Sequence, residues 1–277
     1  MTPCFDLVGP AMPESPVVLS VPHAGRDYPL ALRANLRVPV EALASLEDRH
    51  VDAVALGAHE RETLFVQRTA RAWIDLNRAE HERDARVEEG APVGQPSVKV
   101  RSGLGIVPRR TARAGELWRH RFTSDDIAAR IIQHHRPYHA AVARALEQAR
   151  ARFGCAVLLD LHSMPPIADA GTRVVVGDRF GRAAGVRFVR RVEAETAAAG
   201  LGHLRNLPYA GGHILERHGR PAGQIHAIQL ELDRSLYLDP ALERLGDGLA
   251  PVTALVRAII DALTDEALGA PAALAAE

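Results

Sequence analysis

Lysine is almost missing from this chain: Lys99 is the single one, and the rest of the 34 basic residues are arginines. Cysteine is nearly as scarce. Cys4 and Cys155 form no spacing that suggests a disulfide framework or a thiolate zinc site, and a reducing compartment, the cytoplasm, is expected. Aromatic residues make up only 4%, too few for the stacking platforms of a single-strand nucleic-acid binder. Neither sign of charge dominates, because 34 Lys plus Arg offset 34 Asp plus Glu, so no long-range field recruits nucleic acid or an anionic membrane. No stretch approaches 18 uncharged apolar residues, and Met1 to Pro16 has neither the basic nor the apolar segment of a signal peptide, so a soluble, unexported protein is expected. No repeat is visible, and nothing in the pattern specifies an oligomer.

What remains is ample for a core. At 277 residues and 47% hydrophobic, the chain reads as one domain throughout, with an Ala-rich tail from about Ala267 to Glu277 that could fray. Val17–Val21, Thr63–Gln67, Ala72–Leu76, Ala156–Leu161, Thr172–Val176 and Ile225–Leu232 read as strands. Helical spacing runs from Pro39 to about Arg61, from a capping box at Thr123 and Asp126 to Phe153 with a kink at Pro137, from Arg182 to Ala199, and from about Pro240 to Leu263. The stretch Asn77–Leu117 is rich in Gly, Pro and Arg without sustained period, which in a compact domain marks a functional or partly disordered loop. Strands alternating with helices predict an α/β sandwich with a largely parallel sheet, whose sites gather beyond the C-terminal strand ends.

Thirteen histidines are the richer signal. His23 and His162 each follow an apolar strand, which is how two ligands of a catalytic zinc are supplied from different parts of one sheet. Asp160 alternates with Leu161 and could orient a ligand from behind. A third ligand is sought in the helix after Pro39, which offers Asp48, His50 and Asp52. On a regular helix Asp48 and Asp52 share a face, while His50 and Asp52 lie about 200° apart and cannot both chelate one ion; Asp52 is favoured. Gln229, Glu231 and Asp233 alternate on one strand face, costly to bury unless they line a cavity, which makes Glu231 the candidate general base. Asn77 and Arg78 place an amide and a guanidinium side by side, suited to a substrate carboxylate and a developing oxyanion. Gly211 and Gly212 permit close backbone approach to a ligand, with His213 next to them. Taken one at a time, each feature also has a purely structural explanation.

Together, SVPHAGRDYP (20–29), the Asp of RHVDAVALGA (49–58), ARAWIDLNR (70–78), GLGIVPR (103–109), RPYHAAVARAL (136–146), LLDLHSMPP (158–166), NLPYAGGHI (206–214) and GQIHAIQLELDRSLYLD (223–239) resemble the N-formylglutamate amidohydrolase family. The resemblance implies a three-layer, zinc-carboxypeptidase-like (phosphorylase/hydrolase-like) α/β sandwich with a mixed, largely parallel sheet. It implies hydrolysis of N-formyl-L-glutamate to formate and glutamate in histidine breakdown, with one zinc ion. His23 and His162 would be ligands, Glu231 the catalytic carboxylate, and Asn77 and Arg78 the grip on substrate and oxyanion. Asp52 fits as third ligand less directly, since the carboxypeptidase pattern puts a Glu three residues after the first His and Arg26 stands there; His213 stands where relatives often carry Tyr. A small acidic N-acyl amino acid needs a second cation beside Arg78, and Arg109, Arg173 and Arg234 are the candidates by motif. The competing readings are a zinc hydrolase of another N-acyl amino acid or peptide, and a metal-binding protein without turnover.

Overall fold

Long runs of β-branched and leucine residues need cover on both faces, and here they form the middle of one sheet. The strands of that sheet are β1 (Phe5–Val8), β2 (Val17–Val21), β3 (Thr63–Gln67), β4 (Ala156–Met164), β5 (Thr172–Gly177), β6 (Gly202–Arg205) and β7 (Ile225–Asp233), in the order β1-β3-β2-β4-β7-β5-β6. Parallel pairing joins β2 to β4, β4 to β7 and β5 to β6, while β7 and β5 run antiparallel, so the sheet is mixed. Every residue of β4 and β7 is buried, which requires layers on both sides. The computed structural model describes residues 4–91, 94–167 and 171–269. Its helices are α1 (Leu30–Asn35), α2 (Val51–Ala58), α3 (Val98–Arg101), α4 (Ser124–Arg130), α5 (Arg136–Phe153), α6 (Val186–Ala198), α7 (His213–His218) and α8 (Leu249–Gly269).

By its internal contacts the chain separates into two units. One comprises Leu7–Val21, Arg49–Phe65 and Val142–Glu277 and carries the central strands; in it α8 packs on both α2 and α6, all three pack on the sheet, and α7 packs on β4 and β7. The other comprises Met1–Asp6, Pro22–Asp48 and Val66–Ala141 and is built mainly of short elements. No helix among the described residues is long and apolar enough to cross a membrane.

Several elements differ from the expectations. The helix expected over Pro39–Arg61 is two: a 3₁₀ segment at Val40–Leu46, then α2, separated by extended Glu47 and by His50 in the left-handed region at φ 57°. Ala72–Leu76 is not a strand. It is a turn in which Trp73 N–H bonds Ala70 O, and Asp75 N–H reaches Ile106 O, in place of a ladder. The stretch Asn77–Leu117 is not featureless, since it contains α3 and the two-residue strands Glu88–Glu89, Arg110–Thr111 and Gly115–Glu116. Helix α6 starts after a turn at 178–185 with Arg179 and Phe180 at positive φ, and α8 starts after Gly248 because Asp239 caps a turn, accepting from Glu243 and Arg244 N–H. Thr123 and Asp126 do form the capping box of α4. A π-helical turn at Ile131–His135 precedes Pro137, whose missing N–H breaks the regular ladder. Of the Ala-rich tail, 267–269 continue α8 and 270–277 lie outside the described residues.

Candidate active site

In the sheet-bearing unit, register alone gathers the polar residues. Ser20 on β2 stands opposite Asp160 on β4, which stands opposite Gln229 on β7; one step along, His162 stands opposite Glu231. Parallel neighbours in register share a face, as do residues two apart on a strand, so these five side chains form one polar patch on an otherwise apolar sheet. All are buried, His162 to 2% and Glu231 to 7% exposure. Buried polar groups are tolerated when bonded, and Ser20 Oγ donates to Asp160 Oδ1 (2.6 Å), His162 Nε2 to Asp160 Oδ2 (2.9 Å), and Gln229 Nε2 to Glu231 Oε1 (2.8 Å). Asp233 has a different task. It accepts from Ser235 N–H and Oγ–H and pairs with Arg173 at 3.2 Å. Arg234 is held by the side chain and carbonyl of Ser163.

The second unit places its groups by a network of ties. Two residues after β2, His23 directs Nε2 to Asp75 Oδ1 (2.7 Å), and its Nδ1 lies 3.6 Å from Asp48 Oδ2. Asp48 is fixed there because its N–H donates to His23 O at 3.0 Å. Asp75 is fully buried and accepts from Arg71 Nε (2.9 Å) and Asn77 N–H (2.8 Å). Burial alone would raise its pKa, but the charges of Arg71, His23 and Arg78 outweigh it and hold the carboxyl well below the usual carboxylate range. Arg78, 7% exposed, donates through Nε to Leu104 O and through Nη1 to Asn77 O. Buried His135 and His139 secure this segment from behind by donating to Arg78 O and Leu76 O.

Among the residues expected from sequence, the sheet-bearing unit unites His162 with Glu231, and the other unites His23 with Asn77 and Arg78. Asp52 is half-buried in the first turn of α2, and Asp48 is a carboxylate beside His23. Arg109 is buried in a bridge to Asp84 (2.9 Å) and Glu116. Gly211 is required by its backbone, since φ 102° is a conformation that L side chains rarely adopt; Gly212 caps α7, which His213 begins. Sequence reasoning did not single out Asp75. Its signal was an acid within an otherwise apolar run, Ala72–Leu76.

Each histidine thus has Nε2 held by a buried aspartate, the arrangement by which metal-ligating imidazoles are oriented, and a buried glutamate stands in register beside one of them. The fold is an α/β one built on a mixed sheet, with buried polar residues gathered on its central strands. The chain belongs to the N-formylglutamate amidohydrolase family, whose model matches residues 15–238. It is 31% identical over 233 residues to N-formylglutamate deformylase of Pseudomonas putida, covering 81% of this chain and 82% of that protein, and 28% identical over the same length to the deformylase of Pseudomonas aeruginosa. The crystal structure of N-formylglutamate amidohydrolase from Ralstonia eutropha JMP134 superimposes with a TM-score of 0.85 at 30% identity, covering 96% of this chain and 98% of that one.

Proposed function

We propose that this protein hydrolyses the N-formyl amide of N-formyl-L-glutamate to formate and glutamate with one divalent cation, zinc by the nature of the donors, for which His23 and Asp48 offer two ligand atoms and His162 is the further ligand that the family resemblance implies. The observation that carries the reading is the doubled His–Asp arrangement, His23 with Asp75 and His162 with Asp160, beside Glu231.

The donor set fits zinc. Nδ1 of His23 and Oδ2 of Asp48 are 3.6 Å apart, close to the roughly 3.3 Å expected between two ligands of one tetrahedral zinc ion. This reading puts Asp48 in the place expected of Asp52. When bound, the ion supplies Lewis acidity that makes water a competent nucleophile near neutral pH. Glu231 takes the proton of the attacking water, and the water oxygen bonds to the formyl carbon. As the C–N bond breaks, Glu231 returns the proton to the departing amine. Gln229 holds the Glu231 carboxylate in position, and Asn77 and Arg78 hold the substrate, with the guanidinium on its α-carboxylate. In this reading the reaction is a cytoplasmic step of histidine breakdown.

The test is formate release from N-formyl-L-glutamate by the purified protein, with and without a chelator. Turnover lost to the chelator and restored by zinc is the expected result. Turnover that persists without metal contradicts the ligand assignment, and absence of formate under every metal overturns the substrate.

A further inference from the structure

Resting on that reading, we infer that Lys99, the only lysine of the chain, is the specificity-determining cation for the side-chain carboxylate of the substrate. N-formylglutamate carries two carboxylates, and Arg78 can answer one. The cations singled out by motif for the other are occupied: Arg109 by Asp84 and Glu116, Arg173 by Asp233, and Arg234 by Ser163. Lys99 ammonium, by contrast, makes no hydrogen bond or ion pair with another described residue.

Its position is built. Lys99 sits on α3, a single turn whose Ser97 cap accepts from Val100 N–H (3.2 Å) and donates to Glu82 Oε1 (2.7 Å). The turn is tied to the Arg78 segment through one residue, since Leu104 N–H donates to Lys99 O (2.8 Å) while Leu104 O accepts from Arg78 Nε (2.8 Å). Two further backbone bonds clamp the same segment: Ile106 N–H to Glu82 O, and Asp75 N–H to Ile106 O, both 2.8 Å. Lys99 reaches solvent, yet partial burial and the charges of Arg78 and Arg71 hold its ammonium below the usual lysine pKa. The local acids are already engaged, Asp75 by His23 and Arg71, and Glu82 by Ala79 N–H and Ser97 Oγ–H. Asp75 and Glu82 offset part of the repulsion but make no hydrogen bond or ion pair with the ammonium, so a positive charge near two others is one that an incoming carboxylate relieves.

The depth of the two cations orders the substrate. Buried Arg78, adjacent to Asn77 and two bonds of the network from His23, suits the α-carboxylate next to the scissile amide. Solvent-reaching Lys99, tied to the Arg78 segment through Leu104, suits the carboxylate at the end of the side chain.

The experiment compares Lys99→Met, Lys99→Arg and the unaltered zinc-loaded protein on N-formyl-L-glutamate and N-formyl-L-glutamine, which differ only in that terminal group. Lys99→Met is expected to raise KM for the glutamate derivative about 10- to 100-fold, the worth of a charge-assisted hydrogen bond, with kcat little changed. The preference for glutamate over glutamine collapses, and Lys99→Arg restores part of it. An unchanged preference, or parallel losses on both substrates, overturns the assignment. If the unaltered protein releases no formate from either compound, the deformylase reading itself fails and the assignment falls with it.

Discussion

Two regions of this molecule place buried charges by different physical means. On the central sheet, Ser20, Asp160, His162, Gln229 and Glu231 meet because strand register puts them on one face, and their mutual bonds follow from that placement. In the other unit no ladder does this work. His23, Asp48, Asp75, Asn77 and Arg78 are positioned by ties between side chains and isolated backbone groups, with Asp75 as the common acceptor. Register survives the loss of one polar side chain, because the backbone ladder persists. A network centred on one buried charge does not, because each lost partner strands another charge.

The largest expected effect therefore falls on Asp75. Asp75→Ala leaves Arg71 and His23 facing a buried void, and urea unfolding should show a loss of about 3–5 kcal/mol. A loss below about 1 kcal/mol would show that the second unit does not depend on this network. Asp160→Asn should act more mildly on stability, roughly 1–2 kcal/mol, because β2, β4 and β7 remain paired. Its effect should appear in metal binding instead, with zinc affinity falling about 10- to 100-fold as a neutral amide replaces the carboxylate that orients His162, measured by competition with a chromophoric chelator. Equal destabilisation by the two substitutions would erase the distinction between the regions.

The same contrast explains how much was legible in the sequence. The runs at Val17–Val21, Ala156–Leu161 and Ile225–Leu232 announced buried parallel strands, and strand alternation already put Gln229, Glu231 and Asp233 on one side. Short strands at the sheet margin, β1 and β6, left no such mark because they are largely exposed and carry no apolar run. Ala72–Leu76 looked like a strand because apolar Ala72, Ile74 and Leu76 alternate, but its backbone N–H groups find Ala70 O and Ile106 O in place of a partner strand. The expectation that Asp48 and Asp52 share a face rested on a regular helix. The chain breaks it at Glu47 to His50 without glycine or proline, so that Asp48 precedes α2 and stands beside His23 while Asp52 belongs to the first turn of α2. Arg109 carried a suggestive motif, yet its partners Asp84 and Glu116 are fixed by tertiary folding that local pattern does not encode.

The central claim is that Glu231, buried in register beside His162, moves the proton of the hydrolytic reaction. Its most direct test is single-turnover formate release by Glu231→Gln, with zinc content and melting temperature matched to the unaltered protein. A fall of about 10²–10⁴-fold in rate with metal and fold retained is the result predicted for a lost general base. A rate near that of the unaltered protein would contradict it.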